Sequence, residues 1–320
     1  MTDYKILTCE ECADALLKAE NPTILIHVRP DADAIGSAAA LFLIFKHLGK
    51  ASKITCEHDV PERLEFILDY TGAIFDKNAK SDCAIAIDVA SRAQLGTLAD
   101  RFPTVSLMID HHAKGTPFAD CYAIPDMSSA GEVLYGVAEV LIKRGLISLD
   151  EKLAYALYSS ISSDTGRFCY KSASPKTYRT AATLMECGID WADINHKLFF
   201  SKSEKQIKAE GLVSSKIVTE GSISYATITI AERDALLLLE EHFETAIEVV
   251  RSVRGTEVSF FIREVADGKF KASLRSTTKN VAKVAEIFGG GGHILAAGCT
   301  LSASTAEEAA SLLLSELKKN

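Results

Sequence analysis

The chain has 320 residues, 48% of them hydrophobic and 24% charged, with a formal net charge of −8. That length suits two domains with real cores, and the balance excludes a disordered, collagen-like or coiled-coil chain. The acidic balance also argues against a general nucleic-acid binder, whose sequence-independent affinity comes from many Lys and Arg contacts to phosphate.

The N-terminal segment MTDYKILTCEECADALL mixes charges and lacks the basic and apolar regions of a secretory signal, which predicts a cytoplasmic protein. Cys9 and Cys12 have no second pair or nearby His at ligand spacing, so zinc or redox chemistry is the minor reading. The eight cysteines suit buried, reduced thiols. Next come TILIHV, a helix-like AIGSAAALFLIFKHLGK ending at Gly49, and then SKITCE, CAIAIDV and TVSLMID. Near-continuous apolar strands separated by helices predict a doubly wound α/β domain, a parallel sheet covered on both faces. The longest apolar stretch, Ala34 to Phe45, falls short of the ~20 residues of a membrane span, so no membrane partner is expected.

From Ser129 to about Gly211 the pattern is helical, with AGEVLYGVAEVLIKRG, EKLAYALYSSISS and SPKTYRTAATLMECG. ADINHKLFFSKSEKQIKAEG, rich in Lys, Glu and Gln, reads as a connecting helix or linker. SKIVTE and SISYATITI predict a hairpin around Glu220–Gly221, ETAIEVVRSV a helix, and TEVSFFIREVADGKFKASLRS a second hairpin turning at Asp267–Gly268. The expected organisation is a catalytic domain over 1–190, a helical linker over 191–211 and a smaller mixed α/β domain over 212–320. Residues 251–283 carry eight cations against three acids, either a basic surface for a small anion or a plain solvated face.

Ligands of doubly wound sheets bind at the carboxyl ends of the strands. That rim receives His27, Asp31 and Asp33 after the first strand, Asp88 after CAIAI, and Asp110, His111 and His112 at the end of SLMIDHH. Taken alone, DADAIGS is an ordinary helix cap. Asp164 in SSISSDTGRFCY follows a helix and reads as a loop aspartate. So many carboxylates together are costly without a cation, because like charges raise each other's pKa values. A carboxylate and imidazole set without thiolate suits Mn²⁺, Mg²⁺ or Fe²⁺. The candidates exceed what one six-coordinate ion needs. Two ions sharing a carboxylate, ~3.5–4 Å apart, would clamp the attacking and leaving oxygens of a phosphoryl displacement.

FGGGGHILAAG matches neither a P-loop nor a dinucleotide fingerprint. Its glycines allow close backbone approach to an anion, with His293 as a further donor, or simply end the helix NVAKVAEIF.

In this order HVRPDADAIGS, AIDVASRAQLG, MIDHHAKG and SSDTGRF resemble motifs I to IV of the DHH phosphoesterase superfamily. SLRSTT followed by IFGGGGHILAAG resembles its DHHA1 substrate-binding domain, so that the resemblance runs from about residue 24 to 300. Length and domain pairing are similar to the nanoRNase type, oligoribonucleases that also act as 3′-phosphoadenosine 5′-phosphate (pAp) phosphatases. The resemblance implies a DHH domain followed by a DHHA1 domain. It implies two divalent ions, Mn²⁺ above Mg²⁺ or Fe²⁺, one held by His27, Asp31 and Asp88 and the other by Asp33, Asp88, His111 and Asp164. Asp88 would bridge, His112 would face the substrate phosphate and Asp110 would orient the histidines. A hydroxide between the ions would be the nucleophile. Arg275, His293 and Gly290, Gly291 and Gly292 would hold the terminal phosphate across a cleft from the metals, a geometry that favours short single-stranded RNA, dinucleotides or mononucleotides. A homodimer is compatible with this reading. The alternatives are a pApA or cyclic dinucleotide phosphodiesterase and a nucleotide-sensing module without turnover. Where the family commonly has Gly between the motif I aspartates this chain has Ala32, which keeps the ligands if the backbone there needs no positive φ. Arg29 receives no role.

Overall fold

Five short strands, β1 (Thr23–Leu25), β2 (Lys53–Thr55), β3 (Ala84–Ile87), β4 (Leu107–Asp110) and β5 (Asp120–Ala123), lie parallel in the order β2-β1-β3-β4-β5. They come from a computed structural model describing residues 4–125 and 127–319, apart from the side chain of His293. The chain forms two compact units, the first ending at Ser201 and the second beginning at Lys202.

Alternation along the strands sorts their side chains onto two faces. Ile24, Ile85, Ile87, Leu107 and Ile109 pack with α1 (Cys9–Lys18), α2 (Ala32–His47), α3 (Glu65–Thr71), α5 (Ala130–Lys143) and α6 (Glu151–Asp164). Leu25, Ala84, Ala86, Met108 and Cys121 face the other way, against Leu95, Phe102 and Leu98 of the single-turn α4 (Leu98–Arg101). The helix α2 is buried continuously from Ala32 to Phe45, as a helix apolar on every side must be. It lies close against α6 at Gly36, where a β-carbon would sit 2.8 Å from the Ala156 carbonyl oxygen and 2.9 Å from the Ser160 nitrogen. Strand β5, in FADCYAI, was not anticipated. It is a four-residue edge strand that opens on Asp120, too short to show a strand pattern.

Two helices stand where one connecting helix or linker was expected. α7 (Pro175–Glu186) precedes α8 (Trp191–Phe199), and α9 (Glu204–Ser215) starts afresh in the second unit. The break is chemical: Ser203 and Gln206 form a capping box, each side chain bonded to the other's backbone N–H.

In the second unit a mixed sheet runs β10-β11-β9-β8-β7-β6. Its strands are β6 (Val218–Glu220), β7 (Ile223–Ile228), β8 (Val258–Ala266), β9 (Lys269–Ser276), β10 (Gly291–His293) and β11 (Ala296–Ser302). Only β7 and β8 pair in parallel; β6–β7 and β8–β9 are the two expected hairpins, with Glu220 opposite Ile223 and Ala266 opposite Lys269. Short α10 (Ile230–Ala235) follows β7. Phe260, Ile262 and Leu274 pack with α12 (Val281–Ile287) and α13 (Ala306–Lys319), whereas Phe261 and Ala226 pack with α9 and α11 (Ala246–Arg251). Among the described residues no helix is long and apolar enough to cross a membrane.

Candidate metal centre

The adjacent strands β1, β3 and β4 end at one rim. His27 lies two residues beyond β1, Asp88 directly after β3, and Asp110 closes β4 with His111 and His112 behind it. Asp31 is the N-cap of α2, its Oδ1 accepting the Ala34 N–H at 3.0 Å, so the capping reading and a place in the cluster both hold. Ala32 is an ordinary first helical residue and is absent from the positive-φ positions. Asp164 is a correction: it is the last residue of α6 rather than a loop residue. The helix reaches it because its final turns are buried and polar at once, with Ser159 and Thr165 hydroxyls donating back to the carbonyls of Tyr155 and Ile161.

Three groups have donor atoms all within 4.8 Å of one another: His27, Asp31 and Asp88; Asp33, His111 and Asp164; and Asp88, His111 and His112. Asp88 joins them. Its Oδ2 is 3.5 Å from His27 Nε2, and its Oδ1 is 3.6 Å from both His111 Nε2 and His112 Nδ1. His111 Nε2 is also 3.4 Å from Asp33 and 3.7 Å from Asp164. Asp88 has left-handed backbone, φ 57°, as does Arg29, φ 54°, a conformation costing ~1–3 kcal/mol in non-glycine residues that concentrates at functional sites. Its N–H is tied to the Ile109 carbonyl at 3.0 Å.

Surrounding contacts orient these side chains. His27 Nδ1 meets the Val28 carbonyl at 2.9 Å and His111 Nδ1 the Met127 carbonyl at 3.2 Å, which turns each Nε2 toward the carboxylates. His112 Nδ1 is 2.7 Å from Asp110. Asp33, 2% exposed, accepts from the Ala130 and Gly131 N–H groups at the start of α5 and from the Ser160 hydroxyl at 2.5 Å.

Without a cation this arrangement is electrostatically frustrated. Desolvation, then the charge of Asp88, raises Asp33 well above the usual carboxylate range. Desolvation with Asp31 and Asp88 pushes Asp164 up to about 8. Burial opposes charge on His27, yet Asp31 and Asp88 overcome it and raise the imidazole to about 11. The same balance, set by Asp110, raises His112 to about 9. Desolvation also opposes ionisation of Asp31, but His27 holds it down at about 2. Asp88 Oδ1 is buried with no hydrogen-bond partner among the described residues, although buried polar atoms almost always have one. A divalent cation fits each of these facts, and the oxygen and imidazole donors suit a hard or borderline ion.

The DHH family N-terminal domain matches residues 22–161, and the DHHA1 domain matches residues 240–319. The chain carries a DHH domain followed by a DHHA1 domain. It is 27% identical over 314 residues to the bifunctional oligoribonuclease and PAP phosphatase NrnA of Thermus thermophilus, covering 96% of this chain and 92% of that protein. The protein of the same name from Bacillus subtilis is 25% identical, covering 87% and 89%. In fold it resembles an exopolyphosphatase-related protein from Bacteroides fragilis, with a TM-score of 0.87 and 24% identity over 97% of this chain and 95% of that one.

The DHHA1 residues sit in the second unit. Arg275, on β9, bonds the Leu274 carbonyl and lies 3.7 Å from Glu248, while Arg263 pairs with Glu240, so the basic stretch is partly neutralised by acids of its own unit. Gly289 ends α12 with φ 70°, its N–H bonded to the Glu286 carbonyl and the Gly290 N–H to Ala285, a Schellman stop. Gly291 and Gly292 belong to the edge strand β10; at Gly292, φ 140°, a β-carbon would lie 2.5 Å from the Ala296 carbonyl oxygen. The His293 side chain lies outside the described residues.

Sequence reasoning missed the supports of this DHH centre. Ser160 holds Asp33, and the buried Glu132 accepts from the Ser128 N–H and hydroxyl and from Thr177. The S-x-x-E spacing from Ser129 to Glu132 is a helix-start signal that could have found Glu132, but nothing local points to Ser160.

Proposed function

We propose that this chain is a divalent-metal-dependent phosphoesterase that hydrolyses short oligoribonucleotides and pAp, working in the cytoplasm. The observation carrying the proposal is the Asp88 carboxylate, set between two acid and imidazole groups with one buried oxygen that has no hydrogen-bond partner among the described residues. The activities printed in the names of the Thermus thermophilus and Bacillus subtilis relatives support the substrate class.

In this reading His27, Asp31 and Asp88 hold one ion, and Asp33, Asp88, His111 and Asp164 hold a second, with Mn²⁺ the favoured metal. Bound divalent ions lower the pKa of water toward neutrality and offset charge growing on phosphoryl oxygens. Water is the nucleophile; the phosphorus–oxygen ester bond breaks and the leaving oxygen takes a proton. His112, oriented by Asp110, would donate to a phosphoryl oxygen or to that leaving oxygen. Asp33 keeps its position through Ser160 and the α5 backbone. Residues 1–190 perform the chemistry, and 212–320, joined through 191–211, bind substrate. There Arg275 grips the terminal phosphate with its planar fork, assisted by His293 and Gly290, Gly291 and Gly292.

A Mn²⁺-supplemented panel of pAp, RNA of two to five nucleotides, pApA, cyclic di-AMP and pyrophosphate tests the reading. Turnover of pAp and short RNA, stopped by chelator, is expected. Preference for pApA, cyclic di-AMP or pyrophosphate overturns the substrate class, and no turnover at all identifies a sensing module.

A further inference from the structure

Motif IV continues past Asp164 into three consecutive residues with left-handed backbone: Gly166 (φ 54°), Arg167 (φ 59°) and Phe168 (φ 63°). Glycine adopts this readily, but in Arg and Phe it carries a steric penalty that the surroundings must hold in place. The surroundings do so. The Arg167 N–H donates to the Ser162 carbonyl at 2.8 Å and the Phe168 N–H to the Thr165 hydroxyl at 3.0 Å. The Phe168 ring packs between Tyr158 and Tyr178, with centroids 6.0 and 5.3 Å away.

The strained turn sets the Arg167 guanidinium over two aromatic rings at the end of α8, 5.0 Å from the Phe199 centroid and 4.7 Å from that of Phe200. A hydrogen bond from Ser162 to Asn195 ties α8 to the end of α6 that bears Asp164. Arg167 is exposed, Phe200 is 60% exposed, and among the described residues Arg167 makes no ion pair. An exposed planar cation held over two aromatic rings offers a platform at the surface, three residues beyond Asp164 in the chain. Phosphate is already provided for by the metal centre. A planar, uncharged group is the complement, and nucleobases stack on guanidinium planes and aromatic rings alike, with little sequence preference.

We propose that Arg167, supported by Phe199 and Phe200, is the stacking platform for a nucleobase of the substrate. The inference deepens the nucleotide phosphoesterase reading and rests on it.

Calorimetric titration of the full chain in Mn²⁺ with AMP and with ribose 5-phosphate, which lacks the base, tests it apart from turnover. Arg167→Gly removes the side chain at a backbone angle that glycine tolerates. It should weaken AMP about 10-fold, within the range for loss of one stacked base, and shift ribose 5-phosphate by less than about twofold. Arg167→Lys keeps the charge and loses the plane, so it should weaken AMP about 5-fold or more. Phe200→Leu lies outside the strained turn and should weaken AMP alone about 3-fold, which carries the test if Arg167→Gly fails to fold. Equal losses for both ligands, full rescue by lysine, unchanged AMP affinity, or no AMP binding by the wild type would each overturn the platform. Failure to hydrolyse pAp, with AMP binding still dependent on Arg167, would instead sink the phosphoesterase reading.

Discussion

Replacing Gly36 by Ala separates helix propensity from site geometry. In an isolated helix the change is favourable by about 1 kcal/mol. In this fold the new β-carbon would lie 2.8 Å from the Ala156 carbonyl oxygen and 2.9 Å from the Ser160 nitrogen, where ordinary contact begins near 3.4 Å. Because both opposing atoms are backbone, α2 and α6 must part by about 0.6 Å. Overpacking of that kind costs ~1–3 kcal/mol, so the net expectation is destabilisation by about 1 kcal/mol. The consequence for the site is larger. Asp33 lies one turn before Gly36 on α2 and Asp164 one turn after Ser160 on α6, so the shift moves two proposed ligands of the same ion apart. It exceeds the ~0.5 Å within which a preorganised site works. Guanidinium unfolding and Mn²⁺ titration of the variant should show a lower midpoint and about a 10-fold loss of affinity for the ion at Asp33, His111 and Asp164. A variant as stable as the parent with unchanged Mn²⁺ affinity would refute the reasoning.

Ser160→Ala removes the hydroxyl that donates to Asp33 at 2.5 Å and should cost ~1.5–3 kcal/mol, with weaker Mn²⁺ binding; a melting temperature within error of the parent would contradict it. The raised pKa values predict a metal-dependent pH profile. The contribution of protonated Asp164 to folding is complete below pH ~4 and is lost as pH rises through about 8; that of cationic His27 is complete below pH ~6.5 and is lost as pH passes about 11. In chelator the chain should therefore melt lower at pH 8 than at pH 5.5, and Mn²⁺ should raise the melting temperature more at pH 8; equal metal-induced shifts at the two pH values would count against the cluster as described. Gly289→Ala places a side chain at φ 70° behind α12 and should destabilise the second unit by about 1 kcal/mol, read by hydrogen exchange of α12; unchanged protection would show that the turn tolerates alanine.

Much of this was legible in the sequence because the rim is written locally. Each of β1, β3 and β4 is an apolar run followed at once by its acid or histidine, so a parallel sheet alone brings His27, Asp88 and the Asp110–His112 triplet together. Asp31 and Asp33 were ambiguous between cap and ligand, and the fold uses Asp31 in a way compatible with both. What could not be read is long-range. Ser160 meets Asp33 across 127 positions of chain, and its codeless neighbours in SSISSD differ little from any polar helix end. Strand β5 depends on pairing with β4 rather than on its own pattern. At the glycine run an anion cradle and a helix stop both stayed open, because glycine content does not distinguish exposed N–H groups from the helix stop and close strand approach seen at Gly289 and Gly292.

The central claim, two divalent ions sharing Asp88, is tested most directly by counting Mn²⁺ bound per chain at equilibrium in the wild type and in Asp88→Asn. The account predicts two ions for the wild type and at most one for the variant, because the shared carboxylate serves both groups. One ion or none in the wild type, or two retained in Asp88→Asn, would contradict it.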